Sequence, residues 1–171
     1  IIGDIAYVQV FESTRGLKPG SKVEFEGHML EVELGPGLLS KNFDGLQNDL
    51  DKMDGVFLKR GLYTPALEND KKWAFTPLAK KGDKVIAGDW LGNVKENWLD
   101  HKIMVPFKFE GEYTVASVAK EGQYTINDVV ATLKDKEGEI HNVTMVQKWP
   151  VKLAVKAYKS KPRPFRLLET G

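Results

Sequence analysis

The chain has 171 residues, with 25 lysines and arginines against 24 aspartates and glutamates, and its formal net charge is +1. A charge this close to zero argues against a protein that binds polyanions over its whole surface. The sequence has no cysteine, which excludes disulfides, thiolate nucleophiles and cysteine-ligated metals. Its length allows one domain or two small ones, and no apolar run approaches the ~20 residues of a membrane helix. We therefore expect a globular protein without direct membrane insertion.

The first part of the chain predicts short antiparallel strands. Alternating apolar and polar residues predict three of them: Ala6 to Phe11, Val23 to Glu26 and Met29 to Leu34. Gly16-Leu17-Lys18-Pro19-Gly20 and Gly27-His28 are the turn signals between them. Short strands with polar outer faces are typical of a small barrel. Because the chain opens on Ile1-Ile2-Gly3-Asp4, close to a strand, we interpret it as an excised segment and residues 1–45 as the latter part of an N-terminal β-barrel.

A glycine-rich turn and a candidate helix follow these strands. Gly35-Pro36-Gly37 has the look of a phosphate loop, but it lacks a following lysine and continues into Leu38-Leu39. We interpret it as a corner that glycine conformations permit. Apolar residues at helical spacing then predict a helix over Asp44 to Met53. Residues 46–63 would form this short helix and a linker.

From Trp73 onward the sequence is again rich in strand and turn signals. Extended apolar segments are predicted at Lys102 to Phe107, Gly111 to Val118, Ile126 to Leu133 and Ile140 to Val146. The turns Gly82-Asp83-Lys84-Val85 and Glu121-Gly122-Gln123-Tyr124-Thr125 each precede a short apolar strand, which is typical of a barrel-sandwich hybrid with two similar halves. We predict one domain over residues 64–150 and an extended connector over residues 151–171. The whole is mainly β, namely an incomplete small β-barrel, a short helix, a barrel-sandwich-hybrid-like domain and a connector.

Several motifs, in the same order along the chain, resemble the catalytic A subunit of V/A-type (vacuolar and archaeal type) rotary ATPases and ATP synthases. They are Val32 to Leu39, Phe43 to Gln47, Asp70 to Trp73, Gly82 to Val85, His101 to Pro106, Gly122 to Thr125, Lys148 to Val151 and Leu168 to Gly171. Two departures occur. Gln47-Asn48-Asp49-Leu50 stands where the family commonly has Gln-Arg-Pro-Leu, and Val105-Pro106-Phe107 stands where it often has Val-Pro-Pro.

The resemblance implies a fragment that holds part of the N-terminal barrel and the bulge domain peculiar to this subunit, without the nucleotide-binding domain. The sequence contains no Gly-x-x-x-x-Gly-Lys-Ser/Thr motif. We therefore expect no catalytic, cofactor-binding or metal-binding residues in this chain and no enzyme activity of its own. ATP and Mg would belong to the full-length subunit of an ion-transporting two-sector ATPase.

The resemblance also implies the setting in which the chain works. The full complex would hydrolyse or make ATP, coupled to proton or sodium ion transport. Expected partners are B subunits in an alternating A3B3 hexamer and the peripheral stalk, and nucleic acid is not expected. The location would be cytoplasmic, peripheral to the membrane in the soluble sector. The fragment itself would serve as hexamer scaffold and stalk contact.

The predicted partner-binding residues are Trp90 and Trp98. Each lies beside turn residues and outside an alternating core strand. Exposed aromatic side chains are frequent anchors of protein interfaces, because they bury much area. The sequence therefore indicates these two tryptophans as the contact with the stalk.

Two other functions compete with this interpretation. Asp100-His101-Lys102 has a distant similarity to lipoyl and biotinyl carrier domains, which would carry their cofactor on Lys102 at a hairpin tip. The tail from Lys148 to Arg166 mixes basic and aromatic residues (Trp149, Tyr158, Phe165), as in barrels that bind single-stranded nucleic acid. Its prolines and the acidic remainder of the chain favour a solvated linker. The three histidines, His28, His101 and His141, lack the spacing of metal ligands.

Overall fold

The computed structural model describes residues 2–10, 13–25, 27–53, 55 and 63–157. Within these residues the secondary structure consists of short strands and one turn of 3-10 helix, Leu50–Lys52. The strands of this described part, numbered in chain order, are β1 Glu31–Leu34, β2 Lys72–Pro77, β3 Lys84–Val85, β4 Trp90–Glu96, β5 Leu99–Met104, β6 Tyr113–Val118, β7 Gly122–Thr125, β8 Ala131–Lys134, β9 Ile140–Val143 and β10 Gln147–Pro150. The prediction of a mainly β fold is confirmed.

The strands form three antiparallel sheets. β1 and β10 make a two-stranded sheet that joins the segment before the predicted domain to the end of that domain. The other strands make two four-stranded sheets with the orders β5-β4-β2-β7 and β3-β6-β8-β9. Residue alternation sets which side faces inward, because Trp73 and Phe75 of β2 are buried while the residues on either side of them are exposed.

Two apolar clusters fill the interior between the four-stranded sheets. One contains Leu67, Trp73, Phe75, Val94, Ile103, Ile126, Val130 and Met145. The other contains Val85, Leu91, Val105, Val115, Ala131, Leu133 and Val143. Val118 packs against both clusters, so the two halves share one continuous interior. Two sheets that pack over adjoining clusters are the arrangement expected of a barrel-sandwich domain.

The glycine-rich corner lies directly against the first cluster. A Cβ at Gly35 would sit 3.1 Å from the carbonyl oxygen of Met145 and 3.3 Å from the Leu67 side chain. Gly37 has a φ of +110°, which side chains disfavour. Close approach at one glycine and a left-handed backbone at the other confirm the corner predicted here.

The helix predicted over Asp44 to Met53 is wrong, since only Leu50–Lys52 forms a 3-10 turn. The Asp44 carboxylate accepts hydrogen bonds from the amides of Leu46 (2.9 Å) and Asn48 (2.8 Å), and this local bonding competes with a helix. Gln47 adopts a φ of +64°, which no α-helix contains. The helical spacing of the apolar residues therefore did not produce a helix, because hydrogen bonds from the backbone to the Asp44 side chain favour a turn.

Two of the three strands predicted for the N-terminal barrel are also absent from the described residues. Positions 6–10 and 23–25 make no strand ladder there, and Tyr7, Val8 and Phe25 are exposed. A strand needs a partner for its backbone groups, and these segments have none among the described residues. The turn predicted at Gly122 to Thr125 is instead strand β7, paired with β2. Residues 158–171 of the predicted connector lie outside the described residues, and residues 151–157 form no helix or strand.

Gly92 of β4 offers a direct test of packing between the strands. A Cβ there would overlap the ring of the fully buried Phe75 and lie 2.9 Å from the carbonyl oxygen of Thr76. We expect Gly92→Ala to lower the free energy of unfolding by about 1–3 kcal/mol, as overpacking does in other cores. Urea denaturation measures the change.

Gly45→Ala is the matched control for this substitution, because no atom lies within 4 Å of its Cβ position and its φ is not positive. This variant should stay within about 0.5 kcal/mol of the wild type. Equal stability of both variants would contradict the packing described for Gly92.

Candidate partner-binding site

Strands β4 and β5 form a hairpin that carries both predicted anchors. Pairing runs from Trp90 opposite Met104 to Glu96 opposite Leu99, and Asn97 and Trp98 form the two-residue tip. Asn97 has a φ of +51°, as the tight turns of such hairpins require. At a rise of ~3.3 Å per residue the chain between the two tryptophans spans at most roughly 26 Å. Each is 58% exposed, so the structure leaves both accessible and does not bring them together.

Lys102 lies in the middle of β5 and not at a hairpin tip. It pairs with Asn93 of β4, and its Nζ lies 5.2 Å from the centroid of the Trp90 ring. A cation at this distance from an aromatic face is attracted to it. The tip position that a carrier lysine would need is held by Asn97 and Trp98, so the geometry does not fit the carrier interpretation.

Below the tip, Glu96 holds the hairpin against the glycine-rich corner. Its side chain is only 3% exposed. Oε1 accepts hydrogen bonds from the amides of Gly37 (2.6 Å) and Leu39 (3.1 Å), and Oε2 lies 2.6 Å from Nδ1 of His101. We call Glu96, His101 and these two amides the junction clamp. Alternate amides that converge on one anion form a backbone nest, so the corner binds a carboxylate of its own chain.

The electrostatics of the clamp favour a charged Glu96. Burial by itself would raise the pKa of this carboxyl, but the hydrogen bonds from His101 and from the amides of Leu39 and Gly37 hold its pKa below the ordinary value. A buried carboxylate is tolerated only when such partners replace water. The clamp therefore stabilises the hairpin against the corner through an ionised group.

Further polar contacts fasten the same region. Asn97 Nδ2 donates to Ser40 Oγ at 3.1 Å, which ties the hairpin tip to the corner a second time. Lys41 Nζ lies 3.1 Å from both Asp49 and Glu68, and Asp49 is almost completely buried. Burial would raise the pKa of Asp49, but Lys41 and Lys52 hold it below its usual value. The residues that follow the glycine-rich corner are thus bonded both to the hairpin tip, through Ser40, and to Asp49 and Glu68, through Lys41.

Gln47 of the predicted Phe43 to Gln47 motif extends the edge of β1. Its Oε1 accepts from the amide of Glu33 (2.7 Å), and its Nε2 donates to the carbonyl oxygen of the same residue (2.8 Å). A side-chain amide here replaces the two bonds that a neighbouring strand would make. The motif therefore has a structural role at this edge.

The other two histidines, His141 and His28, make local contacts outside the junction clamp. His141 Nε2 lies 2.7 Å from Asp135 Oδ2, and Glu139 places an oxygen near both, so that the three possible ligand atoms lie within 4.8 Å of one another. Asp135 also accepts a bond from the amide of Glu139 at 2.8 Å, which closes the β8–β9 turn. These contacts explain why Asp135, Glu139 and His141 lie together, since they stabilise the turn between β8 and β9. His28 Nδ1 lies 2.9 Å from the carbonyl oxygen of Met29.

The start of the basic tail contributes to the fold. Trp149 Nε1 donates to the carbonyl oxygen of Leu153 (2.8 Å), and its ring meets that of Phe107 edge to face at 5.8 Å. Tyr158 and Phe165, which the nucleic-acid interpretation also needs, lie outside the described residues. Over the part that the structure covers, no helix combines the length and apolarity needed to cross a membrane.

Comparison with known proteins gives two family matches. Residues 64–152 match the barrel-sandwich domain of ATP synthase alpha/beta subunits, and residues 1–27 match the β-barrel domain of the ATP synthase alpha/beta family. The V-type ATP synthase alpha chain of Treponema denticola is 46% identical over 99% of this chain and 29% of its own length. The A subunit of the A-type ATP synthase of Methanopyrus kandleri is 47% identical over 97% of this chain and 27% of its own length. The A subunit of the A-type ATP synthase of Desulfurococcus sp. (strain SY) is 48% identical over 99% of this chain and 29% of its own length. The chain thus spans less than a third of the length of these relatives.

Removal of the Glu96 side chain should unfasten the hairpin. Glu96→Ala leaves two partly buried amides and His101 without their acceptor. We expect a loss on the order of 3 kcal/mol in the free energy of unfolding, measured by urea denaturation at neutral pH. Glu110→Ala, at an exposed position, is the control and should change it by less than about 0.5 kcal/mol. Equal losses in both variants would contradict the clamp.

The clamp also predicts a pH dependence. Because folding lowers the pKa of Glu96 below its ordinary value of 4.5, its contribution to stability is complete above that value and is lost as the pH falls through the lower folded pKa. The difference in unfolding free energy between wild type and Glu96→Gln should be largest above about pH 5 and shrink on acidification below it. A difference that stays constant down to the acid limit would show that the charge of Glu96 is irrelevant.

Proposed function

The chain belongs to the ATP synthase alpha/beta subunit family, and from this premise we propose that it is the barrel-and-bulge part of the A subunit of a V/A-type ATP synthase, where it acts as a scaffold and as a contact for the peripheral stalk. Relatives named as the alpha chain of V-type and the A subunit of A-type ATP synthases match nearly the whole chain. In the full-length protein, ATP and Mg would bind in a nucleotide-binding domain, coupled to proton or sodium ion transport. B subunits would alternate with A subunits in an A3B3 hexamer, peripheral to the membrane.

The observation that carries the scaffold role is the attachment of the barrel-sandwich domain to the segment before it. β1, in the segment before the domain, pairs with β10 at the end of the domain, and Glu96 binds the amides of Gly37 and Leu39. Because the domain is attached to the preceding segment at two separate places, it cannot rotate freely about either attachment. A domain held in this way can transmit force from a bound stalk to the rest of the protein, which a freely hinged domain cannot.

The stalk contact is proposed at the tryptophans of the β4–β5 hairpin. Both side chains are large, rigid and exposed, as residues that anchor interfaces are. Trp90 begins β4, and Trp98 lies at the hairpin tip beyond its other end. Either both side chains contact the stalk, at the two ends of one long interface, or only one of them does. Single substitutions separate these two cases.

We expect Trp90→Ala or Trp98→Ala to weaken binding of the peripheral-stalk heterodimer of the same complex by about tenfold, because an interface loses an aromatic anchor. Pull-down or surface plasmon resonance measures the affinity, and the melting temperature should stay near that of wild type. Ile140→Ala, also exposed but on β9 of the other sheet, is the control and should bind normally. Failure of the wild-type chain to bind the stalk would refute the stalk proposal, and unchanged binding by both tryptophan variants would move the contact elsewhere.

A further inference from the structure

A cleft rich in lysine lies beside the hairpin tip. Its volume is about 390 Å³. The lining comprises Gly37, Leu39, Lys41, Lys71, Lys72, Trp73, Ala74, Lys95, Glu96, Asn97 and Gln123. Four of these residues are lysines, and the one carboxylate, Glu96, is already bound by the junction clamp. Further carboxylates lie against two of these lysines, Asp49 and Glu68 at Lys41 and Asp100 at Lys95, so the positive charge open to a ligand must come from the other two.

The four lysines are not equally free to bind. Lys41 lies 3.1 Å from both Asp49 and Glu68, and Lys95 lies 3.2 Å from Asp100. Lys71 holds its Nζ 4.4 Å from the centroid of the Trp73 ring, and Lys72 is exposed on the outer face of β2. Among the described residues neither Lys71 nor Lys72 has a carboxylate within ion-pair distance. Lys72 and Lys71, the latter also in electrostatic interaction with Glu68, are the cations left for a ligand.

The rim of the cleft adds hydrogen-bond donors, whereas the indole N–H of Trp73 at its floor is out of a ligand's reach. The indole N–H of Trp73 is buried and has no hydrogen-bond partner within the described part of the chain. Its ring carbon Cζ2, next to the carbon that bears Nε1, lies 3.5 Å from the Cβ position of Gly37. The amide side chains of Asn97 and Gln123 complete the lining. Two lysines outside ion pairs and two side-chain amides at the rim favour an anionic ligand.

An apolar anchor adjoins this cleft. Asn97 lines the cleft, and Trp98 follows it at the hairpin tip with 58% of its surface exposed. Trp90 lies at the far end of β4 with Lys102 over its ring. Of the two predicted anchors, Trp98 is therefore the one next in sequence to a residue of the cleft.

We propose that the lysine cleft and Trp98 together form a docking surface for an acidic segment of a protein partner. Carboxylates of that segment contact Lys71 and Lys72 in the cleft, and an apolar side chain of the segment covers Trp98. Complementary charge speeds encounter and fixes orientation, while the aromatic anchor supplies buried area. The identity of the partner, the peripheral stalk, rests on the proposed function, whereas the chemistry of the surface rests on the cleft itself.

The first arm of the test measures this chemistry without the stalk. The probe is a fluorescent hexaglutamate peptide, and its anisotropy is followed with the whole chain at several salt concentrations. We expect salt-sensitive binding that weakens on the order of tenfold in Lys71→Glu/Lys72→Glu. The control, Lys80→Glu/Lys81→Glu, makes the same change in net charge at an exposed turn and should bind nearly as the wild type does.

Three results in this arm would overturn the proposal. The first is that the peptide fails to bind the wild-type chain. The second is that both double variants weaken binding equally, which indicates a response to net charge alone. The third is that inorganic phosphate at low millimolar concentration displaces the peptide completely, which indicates a site for a small anion and not for a protein segment.

The second arm repeats the comparison with the peripheral-stalk heterodimer and adds Trp98→Ala. Weaker binding by Lys71→Glu/Lys72→Glu and by Trp98→Ala, with normal binding by the control, supports the proposal. If the stalk binds the wild type and Lys71→Glu/Lys72→Glu equally, the cleft is not the docking surface, and the proposed stalk contact still stands. If the stalk does not bind at all but the peptide binds selectively, the stalk contact fails and the acidic docking chemistry stands.

Discussion

The bond between the Glu96 carboxylate and the amides of Gly37 and Leu39 is the constraint on which the rest of the arrangement depends. Each side needs the other. A buried carboxylate costs several kcal/mol unless hydrogen bonds replace its water, and buried backbone amides need an acceptor. The glycine-rich corner supplies the donors, because its backbone conformation points alternate amides to one place. This mutual need fixes the hairpin relative to the corner.

Several features follow from that fixed position. With Glu96 in place, Asn97 reaches Ser40, and the hairpin tip adjoins the lysine cleft through Asn97. The corner in turn leads out of β1, which pairs with β10 and is extended on its edge by Gln47. The clamp therefore links an outward-facing surface to the segment before the domain and, through the pairing of β1 with β10, to the last strand of the domain, as a scaffold that carries a partner would require.

Local features of the sequence predicted the fold better than distant ones. Alternating apolar residues predicted strands that overlap β5, β6, β8 and β9, because this signal depends on neighbouring residues, but they did not mark β2, β4, β7 or β10. The helix at Asp44 to Met53 failed, since the Asp44 side chain binds nearby amides that a helix would need. Glu96 was missed because its partner Gly37 lies 59 residues away, and no local pattern marks such a pair. The glycine-rich corner does bind an anion, but that anion belongs to the same chain.

Hydrogen exchange at individual amides tests the clamp most directly. Gly37 and Leu39 lie in a corner, where exposed amides would exchange quickly. Because both donate to the buried carboxylate of Glu96, we expect them to exchange as slowly as the amide of Val94 in the core of β4. Exchange of Gly37 and Leu39 at the rate of an open loop, with Val94 protected, would show that the clamp does not hold the domain to its corner.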